Sequence, residues 1–136
     1  GRYDEAIANY AMCIGQRRDF AWPHHNLGLV YAAVDKPELA LAEFDQAIQL
    51  EPQLWAAHAE RAATLVALGR HDEALTEFER TLQADYETAE LFSNRAAARA
   101  ALGDRDGAVD DLERALEIDP GFAAAQENLR RLRAAL

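Results

Sequence analysis

Small and apolar side chains fall three and four positions apart in two runs of the chain, Leu27 to Val34 and Leu39 to Leu50. That spacing predicts two amphipathic helices joined by a short turn. The pattern returns every 34 residues: Ala6, Ala40, Ala74 and Ala108 stand in phase, with Gly1, Asp35, Gly69 and Gly103 five positions earlier and Tyr10, Phe44, Phe78 and Leu112 four later. Cys13, Ala47, Thr81 and Ala115 form another in-phase set, and so do Gly28, Ala62 and Ala96. Self-similarity at such a period predicts a solenoid of helix pairs, in which each copy buries its apolar face against the next.

The breaks between helices are legible as well. Gly69 and Gly103 tolerate the left-handed conformation that ends a first helix, and Asp35-Lys36-Pro37 does the same with proline starting the next. Pro52 and Pro120 stop second helices, because proline lacks an N–H and crowds the carbonyl four residues back. Residues 1–20 then hold only the second helix of a repeat and its exit turn, and complete copies run 21–54, 55–88 and 89–122. Residues 123–136 form one more helix, apolar along Ala125, Leu129, Leu132 and Leu136 and polar along Gln126, Glu127, Arg130, Arg131 and Arg133. Such a helix reads as a C-terminal cap. The start reads as a cut from a longer protein, since there is no initiator methionine and Ile7, Tyr10 and Ile14 lack a covering helix. An uncapped apolar edge of this kind favours self-association or disorder.

Asn26-Leu27-Gly28 followed by Tyr31, Ala40, Phe44, Ala47 and Pro52 resembles the tetratricopeptide repeat (TPR), and the resemblance covers essentially the whole chain. It implies an all-α, right-handed α-solenoid of helix-turn-helix repeats making a single domain over residues 1–136. Small residues should let paired helices cross closely, with Gly28 facing Ala40, Ala62 facing Ala74 and Ala96 facing Ala108. Departures from the pattern mark unusual places. Arg18 and Tyr86 replace the stop proline, so those junctions should be longer or differently angled. Arg61 and Arg95 occupy the slot of Leu27, and Arg99 replaces an aromatic; their stems should lie on apolar surface and reach solvent or a neighbouring acid.

Charge and chemistry narrow the function classes. A formal charge of −10 disfavours nucleic acid and anionic membrane surfaces, which need clustered Lys and Arg. No apolar run approaches the length of a membrane span. The single cysteine, Cys13, permits no internal disulfide and reads as a buried, inert thiol in a reducing, cytoplasmic compartment. Glu73, Glu77, Glu79, Asp110, Asp111, Glu113 and Glu117 read as a solvated outer face, with Asp110 and Arg114 supporting their helix as an i, i+4 pair. A docking surface for a basic partner is the other reading of that face.

Nothing in the sequence combines a nucleophile with a base, cradles a phosphate or spaces ligands for a metal, so no catalytic residue, cofactor or metal is expected. His24, His25 and His58 are the imidazoles that could approach one another, and the shared phase of His24, His58 and Phe92 favours packing between adjacent helix pairs.

Function is therefore expected in the concave groove lined by the first helices. Trp22, His25, Asn26, Leu29 and Ala33 come from the first complete copy, and Ala56, Ala59, Glu60 and Ala63 from the second. Glu90, Ser93, Asn94 and Ala97 follow from the third, and Glu127, Asn128 and Arg131 from the cap. Asn26, Glu60, Asn94 and Asn128 make a polar ladder at one-repeat spacing. Asparagine amides both donate and accept, so the ladder either grips an extended peptide or satisfies hydrogen bonds between helices. Trp22 and His25 would anchor an aromatic or apolar side chain.

One subclass of the family binds acidic chaperone tails through a Lys/Arg clamp, whose slots here hold Ala56, Glu60, Glu90 and Asn94. The resemblance thus implies a non-catalytic protein-interaction scaffold for a basic or neutral protein partner. The alternatives are a regulatory or substrate-recruiting arm of a larger enzyme, such as a protein kinase or glycosyltransferase, and a homo-oligomer built through the N-terminal edge.

Overall fold

The computed structural model describes residues 1–16 and 20–135, so the expectations for Arg18 and Leu136 lie outside the described residues. Eight α-helices make up the described part: α1 (Arg2–Gln16), α2 (Ala21–Ala33), α3 (Pro37–Leu50), α4 (Trp55–Ala67), α5 (His71–Gln83), α6 (Ala89–Ala101), α7 (Arg105–Ile118) and α8 (Ala123–Ala134). The described residues contain no strand. Helices α2 and α3, α4 and α5, and α6 and α7 pack as pairs; α1 leans on α2, and α8 on α7. Each complete 34-residue period holds one such pair.

Turn chemistry explains the helix ends. Asp35 (φ 60°), Gly69 (φ 77°) and Gly103 (φ 87°) all adopt the left-handed conformation after a first helix. In each turn the next N–H reaches back to a carbonyl of the preceding helix: Lys36 to Tyr31 at 2.9 Å, Arg70 to Leu65 at 2.8 Å and Asp104 to Arg99 at 2.8 Å. These bonds satisfy carbonyls that the helix end leaves free. Pro37 opens α3 as expected. The junction carrying Tyr86 does differ, running over residues 84–88 where the proline-bearing junctions take 51–54 and 119–122. Without proline, α5 ends in a left-handed Asp85 (φ 61°), and the Tyr86 N–H caps the Thr81 carbonyl at 3.2 Å.

The core follows the period. Ala40, Ala74 and Ala108 are fully buried, as are Phe44, Phe78, Ala47 and Thr81, with Leu112 and Ala115 completing the set. Ala62 and Ala74 share a cluster with Leu65, Phe78 and Leu91, and Ala96 and Ala108 share one with Phe92, Leu112, Ala115, Ala125 and Leu129. At the first crossing the tightest neighbour is an aromatic ring. A Cβ on Gly28 would lie 2.6 Å from the Phe44 ring, so glycine there makes room for an aromatic ring rather than only for Ala40. Along α1, Ile7, Tyr10, Ile14 and Cys13 are half-buried, while Tyr3 and Met12 are exposed.

The acidic residues need a correction. Glu77 and Asp111, expected on the solvated face, are 5% and 2% exposed. Each receives basic partners from the first helix of its own pair. Arg95 grips Asp111 with two bonds, 2.6 and 2.9 Å, and Arg99 adds a contact at 3.1 Å. Arg61 bonds Glu77 at 3.1 Å and Asp45 at 2.6 Å. The arginines therefore do reach neighbouring acids. Arg114 pairs with Glu87 at 2.9 Å and Glu117 at 3.0 Å, not with Asp110.

The hydrogen bonds of His24 and His58 join the two helices of one pair, and His58 also reaches back to the preceding copy. His24 Nδ1 lies 2.7 Å from Glu43, and His58 Nδ1 faces Glu77 in the equivalent position. His58 Nε2 also meets the Pro52 carbonyl at 2.8 Å. Both ring nitrogens of His58 thus face acceptors, which only the doubly protonated imidazolium fills with two donors. Burial opposes that charge, but the hydrogen bonds to Glu77 and Pro52 and the Glu77 charge outweigh it and raise His58 above the ordinary imidazole value. In the third repeat Phe92 takes the histidine slot, and Arg95 and Arg114 lie 5.6 and 5.8 Å from its ring centre.

Candidate functional site

The first helices stand side by side, α2 against α4 and α4 against α6. Residues at i, i+3, i+4 and i+7 of each share one face. On α2, Trp22 is 53% and Leu29 36% exposed, Ala33 is exposed, and Asn26 is half-buried. His25 is buried instead, at 5% exposure, with its ring edge-on to Trp22 at 5.3 Å and tilted against Phe44 at 5.7 Å. Its Nδ1 meets no hydrogen-bond partner, and burial lowers its pKa by disfavouring the charged ring.

Ala56, Ala59, Glu60 and Ala63 on α4 are half-buried. On α6, Glu90 and Ala97 are exposed and Asn94 half-buried, while Ser93 is buried. On α8, Glu127 and Asn128 are half-buried and Arg131 is exposed, with its guanidinium 3.0 Å from Glu127. The side-chain amides of Asn26, Asn94 and Asn128 form no hydrogen bond with another described residue. The ladder therefore does not tie the helices together among the described residues.

Two features were not legible in sequence. First, Ala97, Asn128 and Arg131 join Ala96, Ala100, Leu112 and Leu132 around a recess of about 240 Å³ between α6 and α8. Leu112 comes from α7, and only the folded helix pair brings it there. Second, Tyr86, packed on the cluster of Ala62, Phe78 and Leu91, lies within the field of Glu60 and Glu90. Burial pushes its hydroxyl pKa up, and so do the charges of Glu60 and Glu90. Glu60 is itself pushed up, by burial first and by Glu90 second. The two carboxylates thus lie within each other's field, and neither pairs with a cation among the described residues.

Among the described residues, no group of three or more His, Cys, Asp or Glu side chains is placed to hold a metal ion. No described helix is long and apolar enough to cross a membrane.

A family profile described as tetratricopeptide repeat matches residues 25–85 and again 60–122. Comparison with curated protein sequences found no match. Among solved structures, the fold is similar to TTC0263, a thermophilic TPR protein of Thermus thermophilus, at 21% identity over 98% of this chain and 74% of that one, with a TM-score of 0.82. It is also similar to YrrB, described as a TPR protein with an unusual peptide-binding site, at 25% identity over 93% of this chain and 65% of that one, with a TM-score of 0.78. The first TPR of Spaghetti (RPAP3), solved bound to the HSP90 peptide SRMEEVD, is 24% identical over 85% of this chain and 91% of that one, with a TM-score of 0.77.

Proposed function

The chain belongs to the tetratricopeptide-repeat family, and from that premise we propose that it is a non-catalytic scaffold holding a peptide or helix of a partner protein against α2, α4, α6 and α8. The observation that carries this reading is the ladder of side-chain amides at Asn26, Asn94 and Asn128, none hydrogen bonded to another described residue. An amide left free on a half-buried surface suits a peptide backbone, because it offers a donor and an acceptor to alternating N–H and C=O groups. The bound peptide in the Spaghetti structure and the peptide-binding site named for YrrB support the same use of this fold.

Partner charge follows from the groove. Ala56, Glu60, Glu90 and Asn94 stand where an anion clamp would need cations, so a carboxylate-rich tail meets like charge. A basic or neutral partner suits the surface. The test is a pull-down from extracts of the source organism, comparing the unaltered chain with the triple variant Asn26→Ala, Glu60→Ala, Asn94→Ala. Loss of partners at an unchanged melting temperature is the expected result, since none of the three half-buried side chains bonds another described residue. Unchanged partners would mean that the groove is not the binding face.

A further inference from the structure

The proposed groove changes chemistry from one end to the other. At the α2 end, Trp22 and Leu29 stand 53% and 36% exposed, seven residues apart and so on one helix face. Glu60 of α4 and Glu90 of α6 follow, without a cation on either among the described residues. At the α8 end lies the recess of about 240 Å³, walled by Ala97, Ala100 and Leu132 and floored by Leu112. The one cation at its rim, Arg131, is exposed and bonds Glu127 at 3.0 Å, a carboxylate that Arg130 also holds at 2.7 Å.

We propose that the occupant is a segment of a partner protein in which two apolar side chains flank a basic centre. One apolar side chain lies on Trp22 and Leu29, lysine or arginine meets Glu60 and Glu90, and the other apolar side chain enters the α6–α8 recess. The inference rests on the groove reading above and names its partner chemistry. Charge complementarity selects the centre: a cation there relieves two uncompensated carboxylates, whereas an acidic residue adds a third. Volume and lining select the distal anchor, since the recess holds an aliphatic side chain and offers it carbon on most sides.

Spacing follows from helix packing. Neighbouring helices stand roughly 8–10 Å apart, so from α2 to the gap between α6 and α8 is about 25 Å. An extended chain covers that in about seven or eight residues at ~3.3 Å each. The order apolar, basic, apolar is the same from either end, so the requirement holds for both chain polarities.

The test uses fluorescein-labelled nonapeptides, each with leucine at both ends, two lysines at the centre and serine elsewhere, titrated against the full chain by anisotropy. Exchanging both lysines for glutamate should weaken binding about tenfold or more, and exchanging both leucines for serine should do the same. The variant Glu60→Gln, Glu90→Gln should bind the lysine and glutamate peptides within about twofold of each other while keeping its leucine dependence. Circular dichroism and the melting temperature verify that it is folded. Equal affinity for lysine and glutamate peptides, a preference for glutamate, or no binding of any peptide would overturn the inference. The pull-down with the triple variant reads the groove itself, so partner loss there alongside any of these results leaves the scaffold and removes only this partner chemistry.

Discussion

Asp111→Ala is the sharpest perturbation of the fold that the structure offers. The Asp111 side chain is 3% exposed and takes three contacts, 2.6 and 2.9 Å from Arg95 and 3.1 Å from Arg99. Truncation leaves two guanidinium groups facing each other across a cavity, with Arg95 only 14% and Arg99 26% exposed. Removing one partner of a buried pair costs ~3–5 kcal/mol, mostly for the charge left behind. Arg99 keeps some water and a second acid, Asp104 at 3.8 Å, which places the expected cost at the low end, about 3 kcal/mol. With an unfolding entropy of ~2.1 cal/mol/K per residue, a chain of 136 residues should lose about 10 °C in melting temperature.

The triple variant Arg95→Met, Arg99→Met, Asp111→Leu removes all three charges and should return to within ~1 kcal/mol of the unaltered chain. Stability is read from urea melts, with amide hydrogen exchange in α6 and α7 as a second probe, because repeat arrays open piecewise. A single variant within ~0.5 kcal/mol of the unaltered chain, the range of ordinary surface changes, would refute the claim that this carboxylate ties α6 to α7.

Four further outcomes are expected. The raised pKa of His58 contributes stability that is fully present below its ordinary value of 6.5 and is lost as pH rises through the folded value, so denaturant midpoints should fall on the alkaline side and His58→Gln should flatten that slope. The same pair acts on the acid side. Burial pushes Glu77 up, but His58 and Arg61 outweigh it and hold it below the ordinary 4.5, so its contribution fades as pH drops past that point. Ala74→Leu adds three carbons to a position with 0% exposure and should cost ~1–3 kcal/mol by differential scanning calorimetry, or more if the helices separate. Gly69→Ala forces a Cβ into a left-handed turn (φ 77°) and should cost ~1–2 kcal/mol in the same assay, although nothing nearby would touch the added methyl.

Helices and turns were legible because they depend on local periods: the alanine phase, the left-handed Gly69 and Gly103, and Pro37 at a helix start. Interactions across a helix pair were not. Glu77 and Asp111 read as solvent-facing because a carboxylate on an amphipathic helix normally is, and their hydrogen-bond partners His58, Arg61 and Arg95 lie 16 or 19 residues away on another helix. A signal was nevertheless present. Glu43, Glu77 and Asp111 stand in repeat phase, and each complete copy carries His, Arg or both at one of those two distances upstream. The groove lining was read from phase alone, which assigns a face but not a depth. Leu29 is exposed, while His25 and Ser93 on the same face are buried, His25 under the Phe44 ring. The α6–α8 recess depends on Leu112 and Leu132 meeting across three helices, which no single-helix pattern encodes.

The central claim is that partners bind the face of the first helices. Site-specific photo-crosslinking tests it even while the ligand is unidentified: a benzophenone side chain is placed at Leu29 or Ala97 on that face, or at Gln49 or Glu79 on second helices, all four positions being exposed. In extracts of the source organism, the same partner band should crosslink from Leu29 and Ala97 and not from Gln49 or Glu79. Crosslinking confined to Gln49 and Glu79 would contradict the account.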